Sequence, residues 1–79
     1  MPQFSFQVDG SPELLKVDLE NLAEVKCEAV RYAGRLLCDR ASEFWDDGDF
    51  MMTVSDEHGL TLFTLSFNAT EAPAIRASR

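Results

Sequence analysis

The sequence predicts an α+β fold, in which a four-stranded antiparallel sheet is covered on one face by one long helix. Three observations carry this prediction. Segment 21–45 has apolar residues at helical spacing, and four short segments alternate apolar and polar residues as half-buried strands do. Two of these segments precede the helix and two follow it, which gives the order β-β-α-β-β. The length of 79 residues is that of a single domain.

Segment 21–45 carries the start and stop signals of an amphipathic helix. Asn21 is a favourable N-cap, and Glu24 has the capping-box spacing, so its side chain is expected to reach back to the Asn21 amide. Gly48 is the expected stop signal. The predicted apolar face consists of Leu22, Val25, Ala29, Ala33, Leu36, Leu37 and Phe44.

Three helical residues leave alternatives open. Lys26 and Arg40 project toward the apolar face. Either their aliphatic stems lie along the core edge with the charges in water, or the charges pair with an acidic group on a partner or on the sheet edge. Trp45, the only tryptophan, either caps the small core or anchors an interface.

The four alternating segments predict two hairpins, with strands over 3–8, 14–19, 50–55 and 60–67. Asp9-Gly10 marks the first turn, and Gly59 suits the left-handed position of a type I turn with a bulge in the second. Residues 1–67 therefore form the predicted domain, and 68–79 a loose polar tail. The side chains predicted to pack under the helix are Phe4, Phe6, Val17, Val54, Phe63 and Leu65.

One helix covers only one face of a sheet, so the second face is the candidate interaction surface. It carries Leu14, Met51, Leu60 and Leu62 among serine, threonine and glutamine residues. These four are either scattered surface residues, which are normal, or a contiguous apolar patch of the kind that marks an interface. Together with Trp45 they are the predicted interface residues.

The net charge limits the classes of partner that are expected, and the N-terminal sequence bears on the location of the protein. The net charge is −7, from 14 acidic and 7 basic residues, and this disfavours binding to nucleic acid or to an anionic membrane surface. A basic protein partner is electrostatically permitted. The sequence shows no signal peptide and no membrane span, which predicts a cytoplasmic protein.

The residue types of several chemical sites are present without the required spacing. His58 stands beside Asp56 and Ser55, but a short turn supplies neither a buried orienting carboxylate nor an oxyanion hole. The acidic loop 46–49 lacks the ligand spacing of an EF-hand. We therefore expect no catalytic residue, no metal site and no cofactor, and the protein is not expected to be an enzyme.

The spacing of the two cysteines argues against a disulfide between them. Cys27 and Cys38 are eleven residues apart on the predicted helix, or roughly 16 Å along its axis. A disulfide requires Cα atoms within about 7 Å. The interpretation as small apolar fillers at the edge of the core stands beside that of an intermolecular disulfide or a redox role.

Several stretches in this order resemble a known family. They are the opening MPQFSFQV, the turn Asp9-Gly10, NLAE followed by CEAV, and VSDEHG before an apolar strand. They are similar to a family of short bacterial proteins, common in alphaproteobacteria, that is known only as a domain of unknown function. The family often has an aromatic residue at the place of Ser5 and a histidine at that of Gln7, so no role for that histidine carries over. The resemblance implies the fold, the single domain and the cytoplasmic setting, and it implies no chemistry.

These observations predict a small protein-interaction or regulatory module that acts as a homodimer. A domain of this size buries only a small core, and such domains often gain stability by self-association. The alternative is an antitoxin-like regulator that binds a basic protein partner, with direct nucleic-acid binding disfavoured by the net charge.

Overall fold

The structure is a computed structural model, which describes residues 2–74. It has the predicted α+β architecture, with a four-stranded antiparallel sheet and a long helix across one face. The elements are β1 Gln3–Val8, β2 Leu14–Asp18, α1 Leu22–Asp39, α2 Ala41–Asp47, β3 Asp49–Ser55 and β4 Thr61–Asn68.

The strand order, which the sequence alone did not give, is β2-β1-β3-β4. The first hairpin and the second hairpin therefore meet through β1 and β3 at the centre of the sheet, and β2 and β4 are its two edges. In this register Phe6 lies opposite Leu15 on one side and opposite Val54 on the other. All three neighbouring strand pairs are antiparallel.

The fully buried core lies between α1 and the two central strands. Val25, Ala29 and Ala33 recur every four residues on α1, so they form one stripe that faces the sheet. Two of the three are alanines, so the buried stripe of α1 is made mostly of small side chains. Apolar side chains farther from the centre, including Val17, are only partly buried. The buried residues are Phe4, Phe6, Val25, Ala29, Ala33, Met52 and Val54.

The helix begins as predicted, with one change in its cap. Asn21 Oδ1 accepts a hydrogen bond of 2.9 Å from the Glu24 amide, which is the expected N-cap contact. The Glu24 carboxylate reaches back to the amide of Glu20, also at 2.9 Å, and not to that of Asn21. The Glu24 carboxylate therefore accepts from the residue before the N-cap, one position earlier than the capping box predicts.

The single helix predicted over 21–45 is wrong in its second half, where the structure has two helices. Arg40, with φ −118° and ψ 39°, interrupts the helical conformation between α1 and α2. The Arg40 amide still donates to Leu36 O, and Phe44 N donates to Arg40 O, so Arg40 keeps a backbone hydrogen bond to each of the two helices. No proline or glycine marks the bend. The predicted stop is confirmed, because Gly48 ends α2 with φ 81°.

The predicted turns are confirmed, and the strand limits shift slightly. Gly59 has φ 84°, and the Val54–Ser55 step carries the register shift of a bulge. The fourth strand runs from Thr61 to Asn68, so Leu60 belongs to the turn and Asn68 to the sheet instead of to the tail. Ala69 still donates to Gly48 O at 2.9 Å. The rest of the predicted tail is described only to residue 74, and 75–79 lie outside the described residues.

Candidate functional site

The five predicted interface residues are all exposed. Their exposed fractions range from 37% for Leu62 to 63% for Leu60. Trp45 is 57% exposed and meets the ring of Phe44 edge-on, with centroids 5.9 Å apart. Of the two interpretations of Trp45, the core cap is therefore wrong, because Phe44 takes the inward position on α2 and remains only half-buried.

The register shows how Leu14, Met51 and Leu62 are spread over the second face. Leu14 lies on the edge strand β2, in a row that continues across the sheet through Gln7, Thr53 and Thr64. Strand β1 separates Leu14 from the other two residues, which lie on β3 and β4. This spacing favours the interpretation of these residues as scattered surface residues over that of a contiguous patch.

A different surface, the outer edge of β4, presents backbone groups that have no strand partner among residues 2–74. The Ala69 amide donates inward to Gly48 O, and Phe50 lies opposite Phe67 in the same register. Since amide groups point alternately to the two sides of a strand, those of Thr64, Ser66 and Asn68 point away from β3. Within residues 2–74, β4 has no strand partner on that side.

The two edges of the sheet differ in their protection against a further strand. The edge strand β2 contains Lys16 and Asp18, and Pro12 precedes it. Charges and proline are the devices by which natural proteins blunt an edge. The sequence of β4, TLFTLSFN, contains no charged residue and no proline over eight residues. By this comparison β4 is the unprotected edge.

Beside this edge, the helix side of the sheet is incompletely covered. Phe63, Leu65 and Phe67 project to the same side as the buried Val54 and Met52, as their register shows. They pack against the core cluster but remain partly exposed, because α1 covers the two central strands. Residues 61–68 therefore combine an outer row of backbone groups, which have no strand partner within residues 2–74, with an apolar flank. We call this surface the β4 edge.

A cleft of about 490 Å³ opens at the bend between α1 and α2. Its volume lies within the range of small-molecule sites, roughly 300–1,000 Å³. Half-buried apolar side chains and four carboxylates line it, and Arg40, which is exposed, is its one basic residue. Its apolar residues include Leu36, Leu37, Phe44 and Phe50, and its acidic residues are Asp9, Glu43, Asp47 and Asp49.

The turn around His58 is organised by its own backbone. Asp56 Oδ1 accepts hydrogen bonds from the amides of His58 at 2.9 Å and Leu60 at 3.0 Å. His58 Nε2 lies 3.8 Å from the Glu57 carboxylate, and both side chains are exposed. The Asp56 carboxylate thus closes the turn and is not placed to orient the imidazole, as a catalytic triad requires.

The cysteines differ from the expected core fillers. Cys27 and Cys38 are both free and both exposed, so their interpretation as apolar fillers is wrong. The cause is the narrow buried stripe of α1, which leaves the flanks of the helix in solvent. The guanidinium of Arg31 lies 4.0 Å from Cys27 Sγ, and it also pairs with Glu28 at 2.9 Å.

Among residues 2–74, no group of three or more His, Cys, Asp or Glu side chains is placed to hold a metal ion. None of the helices described is both long and apolar enough to span a membrane.

The sequence alone does not identify the β4 edge, because strand order decides which strands are edges. The signal that was available is the absence of charge from the last alternating segment.

Lys26 is exposed like Arg40, so both charged heads are in solvent, and neither forms an ion pair within residues 2–74.

The comparisons with known proteins match this chain to a family that is described only as a domain of unknown function. The family model for a domain of unknown function, DUF6894, matches residues 3–68. This range runs from the first residue of β1 to the last residue of β4, so it covers the whole sheet and both helices. Neither the search of curated proteins nor that of solved structures gave a match.

Proposed function

We propose that this chain, which belongs to the DUF6894 family, is a small protein-interaction or regulatory module that acts as a homodimer. The observation that supports it best is the β4 edge, where unpaired backbone groups and a half-buried apolar flank occur together. An exposed strand edge recruits a further strand through main-chain hydrogen bonds, and the side chains beside it supply specificity. The proposed binding element is therefore an edge of the sheet.

The charge of the protein favours this edge for self-association. Two copies with a net charge of −7 repel each other, although salt screens that repulsion beyond about 10 Å. Contact between copies then costs least where the local surface carries no charge. The β4 edge is such a surface, whereas the edge at β2 presents Lys16 and Asp18.

The experiment is size-exclusion chromatography with light scattering, over a concentration series up to the high micromolar range. The parent chain is expected to approach the mass of a dimer. Ser66→Pro removes an amide that points away from the sheet and should return the protein to a monomer, because proline cannot donate to an added strand. The matched control is Lys16→Pro, since the Lys16 amide points outward from the opposite edge.

Each result decides the proposal. A dimer that is abolished by Ser66→Pro and retained by Lys16→Pro supports it. A parent chain that stays monomeric throughout the series contradicts the homodimer. A dimer insensitive to Ser66→Pro places the contact elsewhere, and Met51→Lys, on the central strand β3 of the second face, would then test the remaining candidate surface.

A second candidate function is an antitoxin-like regulator that binds a basic protein partner. The acidic cleft at the bend favours it, because four carboxylates outnumber the single guanidinium around half-buried apolar side chains. Such binding should weaken as salt rises. A pull-down from the native cytoplasm at low and high salt, compared between the parent and Asp47→Lys, tests it. Recovery of the same proteins by both chains would contradict it.

The proposal includes a cytoplasmic location and no catalytic step. The only histidine stands on an exposed turn whose carboxylate is occupied by backbone amides. A thermal-shift screen of metabolites and divalent cations tests this part. Saturable stabilisation by one compound, lost on substitution of residues that line the cleft, would contradict it.

A further inference from the structure

We infer that two copies of the chain pair through β4 in one antiparallel register, with Leu65 on the two-fold axis. This inference rests on the proposed homodimer and gives it a geometry. The sheets of the two copies join into one continuous eight-stranded sheet, since each contributes four strands. The contact is isologous, so the same residues of both copies meet.

The direction of the backbone groups restricts the possible registers. Thr64, Ser66 and Asn68 direct their amides outward, while Phe63, Leu65 and Phe67 direct theirs toward β3. Hydrogen-bonded pairs across the new edge must therefore join residues of the outward set. With Leu65 on the axis, Thr64 of each copy lies opposite Ser66 of the other, and both are in the outward set.

The apolar flank selects among the registers that remain. With Leu65 on the axis, Leu65 meets its own copy, and Phe63 lies opposite Phe67 of the other copy. These side chains are on the helix side of the sheet, where they are half-buried in one copy. Pairing covers their exposed surface and extends the core of each copy across the axis, which is the favourable term in the association.

In the two neighbouring registers, fewer of the side chains of Phe63, Leu65 and Phe67 lie opposite another apolar side chain. With Thr64 on the axis, Phe67 lies opposite the polar Thr61. With Ser66 on the axis, the overlap shrinks to residues 64–68, and Phe63 has no partner. Register in a sheet is set by the match of apolar side chains on the buried side, so the Leu65-centred pairing is favoured.

The test is disulfide trapping in a chain where Cys27 and Cys38, both exposed, are replaced by serine. Leu65→Cys places two thiols at a pair that is not hydrogen-bonded, where Cα atoms are about 4.5 Å apart, inside the disulfide range of roughly 4.4–6.8 Å. Thr64→Cys is the matched control, because its two copies are then diagonal neighbours about 7–8 Å apart. Both variants are oxidised under identical conditions and resolved on a non-reducing gel.

The expected result is a covalent dimer for Leu65→Cys and a monomer band for Thr64→Cys. Crosslinking of Thr64→Cys alone overturns the register and leaves the homodimer standing. Absence of both crosslinks in a protein that light scattering shows to be dimeric overturns the pairing through β4. If the cysteine-free parent is monomeric, the proposed function itself fails. Should Leu65→Cys not fold, double substitution of Thr64 and Ser66 by cysteine tests the same register on the opposite face.

Discussion

At the scale of single residues, the fold depends on small side chains where the helix meets the sheet. Ala33 belongs to α1, is fully buried and packs in the core cluster with side chains of the central strands. Ala23 lies on the same helix with its side chain exposed. The pair separates the effect of burial from that of helix propensity, since both are alanines within one helix.

We predict that Ala33→Leu lowers the free energy of unfolding by about 1–3 kcal/mol, because the added carbons must displace packed neighbours. Ala23→Leu should change it by less than about 0.5 kcal/mol. Urea denaturation followed by far-UV circular dichroism measures both values at one protein concentration. Equal effects of the two substitutions would contradict the close packing of α1 on the sheet.

For two glycines we predict that substitution by alanine changes the free energy of unfolding in opposite directions. Gly59 has φ 84°, which a residue with a Cβ adopts only with strain, so Gly59→Ala should destabilise by about 1 kcal/mol or more. Gly34 lies within α1 with open space around its Cα, so Gly34→Ala should stabilise by roughly 0.5–1 kcal/mol. Thermal unfolding of the two variants beside the parent checks the signs. Stabilisation by Gly59→Ala would argue against the left-handed turn.

At the scale of elements, the start of α1 was predictable and its bend was not. Caps are local chemistry, so Asn21 and Gly48 are recognisable from the chain itself. The interruption at Arg40 lacks such a signal, because no proline or glycine lies at the bend. Trp45 lies beyond this bend, on α2, where it is exposed.

The N-cap gives a prediction for the element as a whole. Asn21→Ala removes the acceptor for the Glu24 amide and should lower the free energy of unfolding by about 1 kcal/mol. Ser42→Ala is the control, because Ser42 is exposed and α2 has no side-chain cap hydrogen bond. Chemical denaturation of both variants provides the measurement. A loss from Ser42→Ala as large as that from Asn21→Ala would contradict the assigned cap.

At the scale of the whole molecule, alternation along the chain predicts the four strands and their inward faces. It does not predict strand order, since β1 could neighbour any strand without changing a single local pattern. Strand order decides that β4 is an edge, so the candidate site depends on a non-local property. The second face illustrates the same limit, because Leu14 and Leu62 share a face in the sequence pattern but lie on opposite edges of the sheet.

Amide hydrogen exchange tests the central claim, self-association through the β4 edge, most directly. The amides of Thr64, Ser66 and Asn68 point outward at one edge, and that of Lys16 points outward at the other. At concentrations where the dimer dominates, and after correction for intrinsic rates, the Thr64 and Ser66 amides should exchange at least about tenfold more slowly than the Lys16 amide, because they open only on dissociation. Exchange of the β4 amides as fast as that of Lys16 at every concentration would contradict the account.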